Sequence, residues 1–502
     1  MNMQKRVCVT LALAAGGALA LAVAGCKGWA VGPDYKEPEI KAADVPLPDA
    51  GYPTTNKTET GELKAAATNE DPRAEITAES IQAWWTQFND DVLTNLVEAA
   101  VSNNLSFLMA QERLIQARWS LVGSASAFLP SVTMDGSYTR SGAHGFTSSR
   151  GGSGTAYHGD HWNSGFDASW EIDVFGGTRR AYEAAEAQRD AAAYTVADAW
   201  VSLTAEIAST YVQLRTVQER LTVARANLKL QSETYDILKS RLDSGIGDEL
   251  AVKQAKYNVE QTRASLPNLH ANEEQYMNAI AILAGTMPGS LHDLLRPLPA
   301  RDWLIKPQRI AAIPLDAMRR RPDVRAAERA LAAQVATVGV ATAQLFPKFY
   351  INGSIGLDSI DANKFFRRDA FMGSIGPSFR WPLFQGGNLV AAMKAAESKM
   401  SEAALKYELA VQTAYGETRN AYSAYTQEYH RYQSLQSAVK AAQDAVSISQ
   451  DLYKNGLADF NNVLDAQRSL LTLEESLTIS RGKITTDLIA LYKALGGGIS
   501  LD

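Results

Sequence analysis

The residues whose spacing most suggests metal chemistry are His158 and His161, which lie three positions apart with only Asp160 beside them. Imidazole and carboxylate groups are good transition-metal ligands. The surrounding stretch is rich in glycine, so a chance spacing is favoured over a metal site. The sequence also lacks an HExxH motif, a nucleophile elbow, a P-loop and a dinucleotide fingerprint. These observations predict a protein that is not an enzyme and holds no metal or dissociable cofactor.

Cys26 is the residue with the most specific context for covalent chemistry. Residues 1–25 consist of a short basic start and a long uncharged run, which predicts a signal peptide. The run ends in VAGC, which resembles the lipobox of bacterial lipoproteins and implies an N-acyl diacylglycerol on Cys26. The alternatives are a plain secretory signal and a signal-anchor helix, since the run could nearly span a bilayer. Lys27 follows where an aspartate would favour inner-membrane retention, so the outer membrane is predicted.

Two glycine-containing turns contain acidic residues, and each turn is followed by a segment with the apolar pattern of a helix. Asp243, Gly245 and Asp248 belong to the first turn, and Gly456 and Asp459 belong to the second. Glycine permits the backbone to reverse, and an aspartate directly before a helix can accept hydrogen bonds from its first amides. Helix capping is therefore the favoured role of Asp248 and Asp459.

Asp465 differs from these aspartates because it lies well inside the following helix, where it cannot cap. Copies of its carboxylate around a narrow opening would form an acidic ring that attracts cations. Asn462 and Phe460 precede it in the stretch NGLADFNNVLDAQ, and Phe460 could narrow the same opening. The alternatives are a solvated helix face for Asp465 and a packed aromatic for Phe460. Position 254, the counterpart of Asp465 in the first turn, is glutamine.

The two turns are counterparts within a tandem duplication. Residues of the same type recur 211 positions apart, as in the pairs Trp170 and Trp381, Gly176 and Gly387, Gly245 and Gly456, Asp248 and Asp459, and Gly285 and Gly496. We expect a first repeat over 80–300 and a second over 301–502. Residues 26–79 are rich in Pro, Thr, Asp and Lys and predict an extended segment without a core of its own.

Each repeat contains a very long helix followed by a shorter one. Residues 178–242 contain neither glycine nor proline and would form a helix about 98 Å long. Apolar residues follow a heptad pattern along it, which is typical of coiled coils. The expected shorter helix spans 248–285, and the second pair spans 388–454 and 460–496. The helices alone favour a coiled-coil rod.

Four alternating segments argue against a simple rod. In HWNSGFDASWEID (161–173) one parity carries Trp162 and Trp170, and the other carries Asp167, Glu171 and Asp173. A soluble sheet also alternates, but the lengths and the aromatic residues near the strand ends fit strands that cross a membrane. The expected strands span 131–141, 161–173, 349–359 and 371–383. Pro377 predicts a bulge in the fourth strand.

Four strands cannot close a barrel in a membrane, because unpaired edges in hydrocarbon are prohibitive. The edges must therefore pair with other copies of the chain, and three copies would supply twelve strands. The polar parity would then line a shared pore.

The composition argues against nucleic-acid binding and against a disulfide bond. The chain has 49 basic and 55 acidic residues and a net charge of −6, so nucleic acid is not an expected partner. Cys8 lies in the signal peptide, which leaves the mature chain without a partner for a disulfide bond at Cys26.

Five motifs in a fixed order resemble the TolC/OprM-type outer-membrane efflux channels, most closely the lipoprotein (NodT-like) branch that serves RND tripartite efflux systems. The motifs are VGPDYKEPE (31–39), WWTQFND (84–90), RRRPDVRAAERAL (319–331), WPLFQGG (381–387) and NGLADFNNVLDAQRSL (455–470). The resemblance covers essentially all of the mature chain. It implies a membrane α+β fold, in which a homotrimer forms a twelve-stranded transmembrane β-barrel continued by a twelve-helix periplasmic α-barrel.

The resemblance also implies a function and partners. The family forms a passive exit duct for small molecules or drugs from the periplasm, together with a periplasmic adaptor and an inner-membrane RND-type transporter. Its hairpin ends form the periplasmic entrance and meet the adaptor, which assigns these roles to Asp243, Gly245, Asp248, Gly456 and Asp459. An acidic ring is implied at Asp465, whereas Asn462 stands where the family sometimes has a second acid. The alternatives are an outer-membrane duct for type I protein secretion and a lipoprotein rod without a pore.

Overall fold

The computed structural model describes residues 30–38, 83–143, 157–298, 319–455 and 457–497. The expected signal peptide (1–25), Cys26 and Gly456 lie outside these ranges. The described α-helices and β-strands, in chain order, are α1 Asp91–Asn103, α2 Leu105–Ser126, β1 Ser131–Ala143, β2 Tyr157–Ile172, α3 Gly177–Asp243, α4 Glu249–Leu283, α5 His292–Leu295, α6 Pro322–Ala343, β3 Lys348–Ser359, β4 Phe371–Arg380, α7 Asn388–Lys454 and α8 Phe460–Ala494.

The chain divides into two compact units, and each takes residues from both expected repeats. The sheet unit comprises the described parts of Met1–Glu39, Leu114–Ala192 and Ala327–Tyr407. The helical unit comprises the described parts of Ile40–Arg113, Ala193–Ala326 and Glu408–Asp502. Segments distant in sequence are joined because β2 of the first repeat pairs with β3 of the second.

The long and short helices have matched lengths in the two halves. Helices α3 and α7 each contain 67 residues, and α4 and α8 each contain 35. Each bound in the second half lies 211 positions after its counterpart, from 177 to 388 and from 249 to 460. The heptad stripe of α3 is largely buried, as at Leu203, Ile207, Leu214, Val217 and Leu221. No helix in the described ranges is both long and apolar enough to cross a bilayer.

The four strands form one antiparallel sheet in the order β1-β2-β3-β4. The register brings the apolar parities together on one face, since Met134 pairs with Phe166 and Phe166 pairs with Ile355. This face remains uncovered by the described chain, because Met134 is 68 %, Phe166 51 % and Ile375 84 % exposed. A soluble sheet would bury such a face against its own core.

The sheet corrects the expected strand ends. Strand β2 begins at Tyr157 rather than 161, because pairing with β1 continues through Arg140 and Asp160 to Ala143. Strand β4 ends at Arg380 rather than 383, where Pro382 soon follows and cannot donate to a ladder.

Two further expectations within the strands are wrong. The pairing of β3 with β4 continues through Ile351 and Pro377 without an extra residue, so there is no bulge. Asp173 lies beyond β2, and its Oδ2 accepts a hydrogen bond from the Arg179 backbone amide at 2.9 Å. It therefore supports the start of α3 instead of lining the polar face of the strand.

The helical unit has its core around the WWTQFND motif. Trp84 is 1 % exposed and stacks on Tyr492 with ring centroids 5.7 Å apart. Asp90 accepts hydrogen bonds from the first amides of α1 and also from the Tyr211 hydroxyl at 2.5 Å. Burial raises the pKa of Tyr211, and the carboxylate of Asp90 raises it further against the opposing effect of Arg215. The motif therefore serves folding of this unit.

The RRRPDV motif ties the end of α8 to the start of α6. Arg321 is buried and donates to the Ala494 carbonyl at 2.8 Å and to Glu417 and Asp323 at 2.7 Å. A cation at a helix C-terminus satisfies its free carbonyls and complements the helix dipole. This arrangement gives the motif a structural role in the helical unit.

Candidate functional site

The first hairpin end joins α3 to α4 through a tight glycine turn. The Ile246 amide donates to the Arg241 carbonyl at 3.1 Å, and the Gly245 amide donates to the Leu242 carbonyl at 2.9 Å. This pair of bonds is a Schellman motif, and Gly245 takes the left-handed conformation it requires, with φ +76°. The Asp248 side chain accepts from the Leu250 amide at 3.0 Å and caps α4. Asp243 is the exposed last residue of α3.

The second hairpin end joins α7 to α8 and repeats one of these backbone bonds. The Leu457 amide donates to the Leu452 carbonyl at 2.9 Å, at the positions equivalent to Ile246 and Arg241. Asp459 occupies the N-cap position, but its side chain accepts no capping hydrogen bond. The expectation that Asp459 caps as Asp248 does is therefore wrong. Instead, the Asp459 backbone carbonyl accepts from the Asn462 amide at 3.1 Å.

The two hairpin ends share one apolar cluster, which we call the tip cluster. It contains Leu238, Ala251, Val252, Ala255, Phe460, Val463 and Leu464. Phe460 is 7 % exposed and makes an edge-to-face contact with Tyr453 at 5.3 Å. Its ring therefore packs between helices of its own chain, which favours the packed alternative over a ring that narrows an opening.

One contact between the hairpin ends was not predicted from the sequence. The Arg241 guanidinium lies over the Tyr453 ring at 5.5 Å from its centroid. Such a cation–π pair links α3 to α7. The two residues are far apart in the chain and belong to no short motif, so spacing gave no signal.

Asp465 lies on the exposed side of α8, opposite the buried residues Val463 and Leu464. Arg468 is the nearest basic residue along the helix, but its Nε donates to Asn258 at 3.0 Å and its guanidinium lies over Tyr257. Across the described ranges, no hydrogen bond or ion pair joins the Asp465 carboxylate to another group. Among the described residues, the Asp465 carboxylate is therefore exposed and unpaired.

Asn462 is exposed one turn before Asp465 on the same helix. In the first hairpin, Gln254 occupies the position equivalent to Asp465 and is half-buried. The charged position therefore occurs in the second hairpin only.

The polar face of the sheet forms a ladder of hydrogen bonds between neighbouring strands. Ser169 donates to Asn352 at 2.9 Å, Asn352 donates to Ser378 at 2.8 Å, and Lys348 forms an ion pair with Glu171 at 3.2 Å. Such a face suits contact with water. Together with the exposed apolar face, it gives the sheet one apolar and one polar side.

The two histidines with metal-like spacing, His158 and His161, both lie on β2. The Nε2 of His161 lies 3.1 Å from the Asp358 Oδ1, across the pairing of β2 with β3. For His158 only the backbone is described. His161 therefore belongs to the polar ladder of the sheet.

Comparison with known proteins extends these observations. The family model for outer membrane efflux proteins matches residues 96–286 and 313–497. Nodulation protein T of Rhizobium leguminosarum bv. trifolii is 32 % identical over 471 residues, which cover 94 % of this chain and 95 % of that protein. The pyoverdine export outer membrane protein OpmQ of Pseudomonas aeruginosa is 28 % identical over 434 residues, covering 85 % of this chain and 89 % of OpmQ.

The same likeness is present in three dimensions. The solved structure of the outer-membrane channel OprN matches with a TM-score of 0.80 and 33 % identity, covering 93 % of this chain and 99 % of OprN. OpmQ is an export protein and OprN is a channel, so these relatives are transport proteins and not enzymes. The chain belongs to the outer membrane efflux protein family and is an exit duct located in the bacterial outer membrane.

Proposed function

We propose that three copies of the chain form the duct, with a shared twelve-stranded barrel continued by twelve helices in the periplasm. The observation that carries this proposal is the open sheet: β1 and β4 are its edges, and its apolar face is exposed. Unpaired backbone groups in hydrocarbon are too costly to persist. Pairing β4 of one copy with β1 of the next satisfies both edges. The matched helix lengths support the tandem duplication of the protomer.

The entrance of this duct lies at the hairpin ends. Asp465 and Asn462 are exposed on α8, and threefold symmetry would repeat the unpaired carboxylate of Asp465 around the opening. A ring of like charges attracts cations and repels anions. Phe460 supports the ring indirectly by holding α8 in the tip cluster.

A periplasmic adaptor would bind the same hairpin ends from outside. Ile246 is 80 % exposed and Leu457 is 75 % exposed at equivalent positions of the two turns. Exposed apolar residues in a polar surrounding are typical of protein interfaces. Asp243, Asp248 and Asp459 surround them with carboxylates, while Gly245 and Gly456 are part of the turns that present these side chains. An inner-membrane RND-type transporter would supply the energy, since the chain has no nucleotide-binding motif.

The cargo consists of small molecules or drugs, and the chain is held in the membrane additionally by acyl groups on Cys26. The lipobox VAGC supports this anchor, and several acyl chains bind a membrane far more firmly than one. OpmQ, whose name assigns it to pyoverdine export, supports a small-molecule cargo over a secreted polypeptide.

Native mass spectrometry of the purified lipoprotein tests the assembly, and planar-bilayer recording tests the pore. We expect a mass of three acylated chains and discrete conductance steps. A mass of one or two chains would contradict the shared barrel. Trimers without conductance would favour a rod without a pore.

A further inference from the structure

A half-open cavity lies among helices α3, α4 and α8, and every residue that lines it belongs to the helical unit of one chain. Its volume is about 510 Å³, which is within the usual range of small-molecule sites. Along α3 the cavity lies between Leu221, in one apolar cluster, and Leu238, in the tip cluster. We call this cavity the wall cleft.

The walls of the cleft are held together by contacts within the chain. The Arg468 Nε on α8 donates to the Asn258 Oδ1 on α4 at 3.0 Å, and the Arg220 Nε on α3 donates to the Glu475 Oε1 on α8 at 3.2 Å. Gln218 connects α3 to α4 in the same way, by a hydrogen bond to the Glu273 carboxylate. The three helices are therefore joined pairwise, and the cleft does not need a second copy to form its walls.

The floor of the cleft is polar where the heptad stripe of α3 would require an apolar residue. Gln231 lies between Leu228 and Tyr235 in this stripe. It is 7 % exposed, and its Oε1 is buried without a hydrogen-bond partner in the described ranges. Asn258 and Thr262 are also buried and line the cleft from α4. Because an unpaired buried acceptor is costly, the floor favours an occupant that can donate a hydrogen bond.

The rim of the cleft carries a guanidinium in a fixed position. Arg468 is held through its Nε by Asn258, and its Cζ lies over the Tyr257 ring at 5.4 Å from the centroid. Its two terminal nitrogens make no hydrogen bond or ion pair with any described residue. A guanidinium oriented in this way presents two parallel N–H groups that match the two oxygens of a carboxylate.

The remaining lining residues give the cleft a positive charge and an apolar surface. Arg220 and Glu475 form an ion pair, so Arg468 supplies the one lining charge that is not balanced within the cleft. Apolar side chains lie between the rim and the floor, among them Val223, Leu269 and Leu471. An apolar surface with a few converging polar groups is typical of sites for small organic molecules.

We propose that the wall cleft binds a small amphipathic carboxylate. Arg468 pairs with the carboxylate, the apolar side chains cover the body of the molecule, and a hydroxyl or N–H group of the ligand donates to the Gln231 Oε1 after rotation of the terminal amide. This site goes beyond the duct, because conduction through a lumen does not require a cleft between helices. An occupant would join α8 of the second hairpin to α3 and α4 of the first.

The tandem duplication predicts one such cleft in each chain. The positions equivalent to Gln231, Tyr257 and Asn258 in the second repeat are Ala442, Arg468 and Ser469. Neither the buried amide nor the aromatic support of the guanidinium is therefore repeated, and we expect one bound ligand per chain.

Calorimetric titration of the purified full-length protein tests the proposal with 6-hydroxy-2-naphthoate as the probe. We expect saturable binding of one molecule per chain. The corresponding naphthamide, which lacks the negative charge, should bind at least about tenfold more weakly because it cannot form a charge-assisted pair. The naphthoate without the hydroxyl should bind about fivefold more weakly because it cannot donate to the floor.

Substitutions in the cleft assign these preferences to residues. Arg468→Gln, at an exposed side chain, should weaken hydroxynaphthoate binding about tenfold and make acid and amide bind equally. Gln231→Leu should remove the advantage of the hydroxyl and leave the preference for the acid. Thr472→Trp, at another exposed lining residue, should fill the cleft and abolish binding. Arg263→Gln is the control, because this exposed arginine pairs with Glu260 outside the cleft.

The possible outcomes separate this inference from the duct. Absence of saturable binding, equal affinity for acid and amide, or binding that Arg468→Gln and Thr472→Trp leave unchanged would overturn the wall cleft as a carboxylate site. An effect of Arg263→Gln as large as that of Arg468→Gln would also overturn it, since the cause would then be the charge of the surface. Conductance of each preparation shows that the channel is assembled, and tests the duct independently of ligand binding.

Discussion

The two hairpin ends have similar backbones but different chemistry. In each turn, a backbone amide donates to the carbonyl five residues earlier. The pairs are Ile246 to Arg241 in the first turn and Leu457 to Leu452 in the second. The first end is capped by its aspartate side chain, and the second is not. The short helix of the first hairpin begins at Glu249, which is 74 % exposed. The short helix of the second begins at Phe460, which is 7 % exposed.

This difference indicates a division of roles within the duplicated plan. The first end is stabilised locally by its turn and cap. The second end lacks the cap, places Phe460 in the tip cluster that both ends share, and carries the exposed carboxylate of Asp465 on the same helix. Substitutions at equivalent positions can therefore separate the two roles.

The largest expected effect on stability comes from Phe460→Ala. Removing a buried phenylalanine typically costs about 3–5 kcal/mol, and here it opens the tip cluster that joins both hairpins. Hydrogen exchange should report faster opening of α4 and α8 near their first turns. The equivalent Glu249→Ala removes an exposed side chain and should change the opening free energy by less than about 0.5 kcal/mol. Equal effects at both positions would contradict the proposed division.

Asp465→Asn should reduce the cation preference of the channel. A unit charge about 4 Å from an ion contributes about 1 kcal/mol in water, so losing three carboxylates should lower the preference at least about tenfold. Asn462→Ser serves as an uncharged control, and Gln254→Asn tests the equivalent position of the first end. Reversal potentials in planar bilayers measure the change; a preference unaltered by Asp465→Asn would remove this residue from the entrance.

Gly245→Ala should destabilise the first turn by about 1–2 kcal/mol, the cost of a left-handed conformation for a residue with a Cβ. Space is not limiting, because no atom of the described residues beyond the two chain neighbours lies within 4 Å of the added Cβ. Gly245→Asn should cost less, since asparagine tolerates this conformation. Hydrogen exchange of the turn amides measures both variants. An equal cost for alanine and asparagine would indicate a steric cause instead.

The smallest effect distinguishes the two aspartates at the helix starts. Asp248→Ala removes a capping bond and should cost about 1 kcal/mol. Asp459→Ala removes a side chain that makes no such bond and should cost less than about 0.5 kcal/mol. Exchange rates at the first amides of α4 and α8 report the difference. A larger loss at Asp459 than at Asp248 would show that the cap lies at the second end.

The sequence revealed the parts of the fold that repeat with a period. Alternation separated the apolar from the polar positions of the strands, and the register confirms this by pairing Phe166 with Met134 and with Ile355 on one face. The absence of glycine and proline gave the limits of α3 within one residue. Because these patterns depend on residues close together in the sequence, they can be recognised without the tertiary structure.

The sequence did not reveal contacts that join distant segments. Asp248 and Asp459 occupy equivalent positions, yet only Asp248 caps its helix, because side-chain geometry is not fixed by position alone. Likewise, nothing in the spacing connects Arg180 with Asp34. Phe460 could be assigned to packing only once the helices surrounding it were placed.

A cysteine cross-link between edge strands tests the shared barrel most directly. Within one chain, β1 and β4 are three strand spacings apart, about 14 Å, which is too far for a disulfide bond. Chains carrying Thr133→Cys with either Ser374→Cys or Ser378→Cys can therefore link only between copies. We predict that oxidation in outer membranes produces a ladder of linked chains that ends at three. A ladder that ends at two or continues beyond three, or no cross-link with either pair, would contradict a barrel completed by three copies.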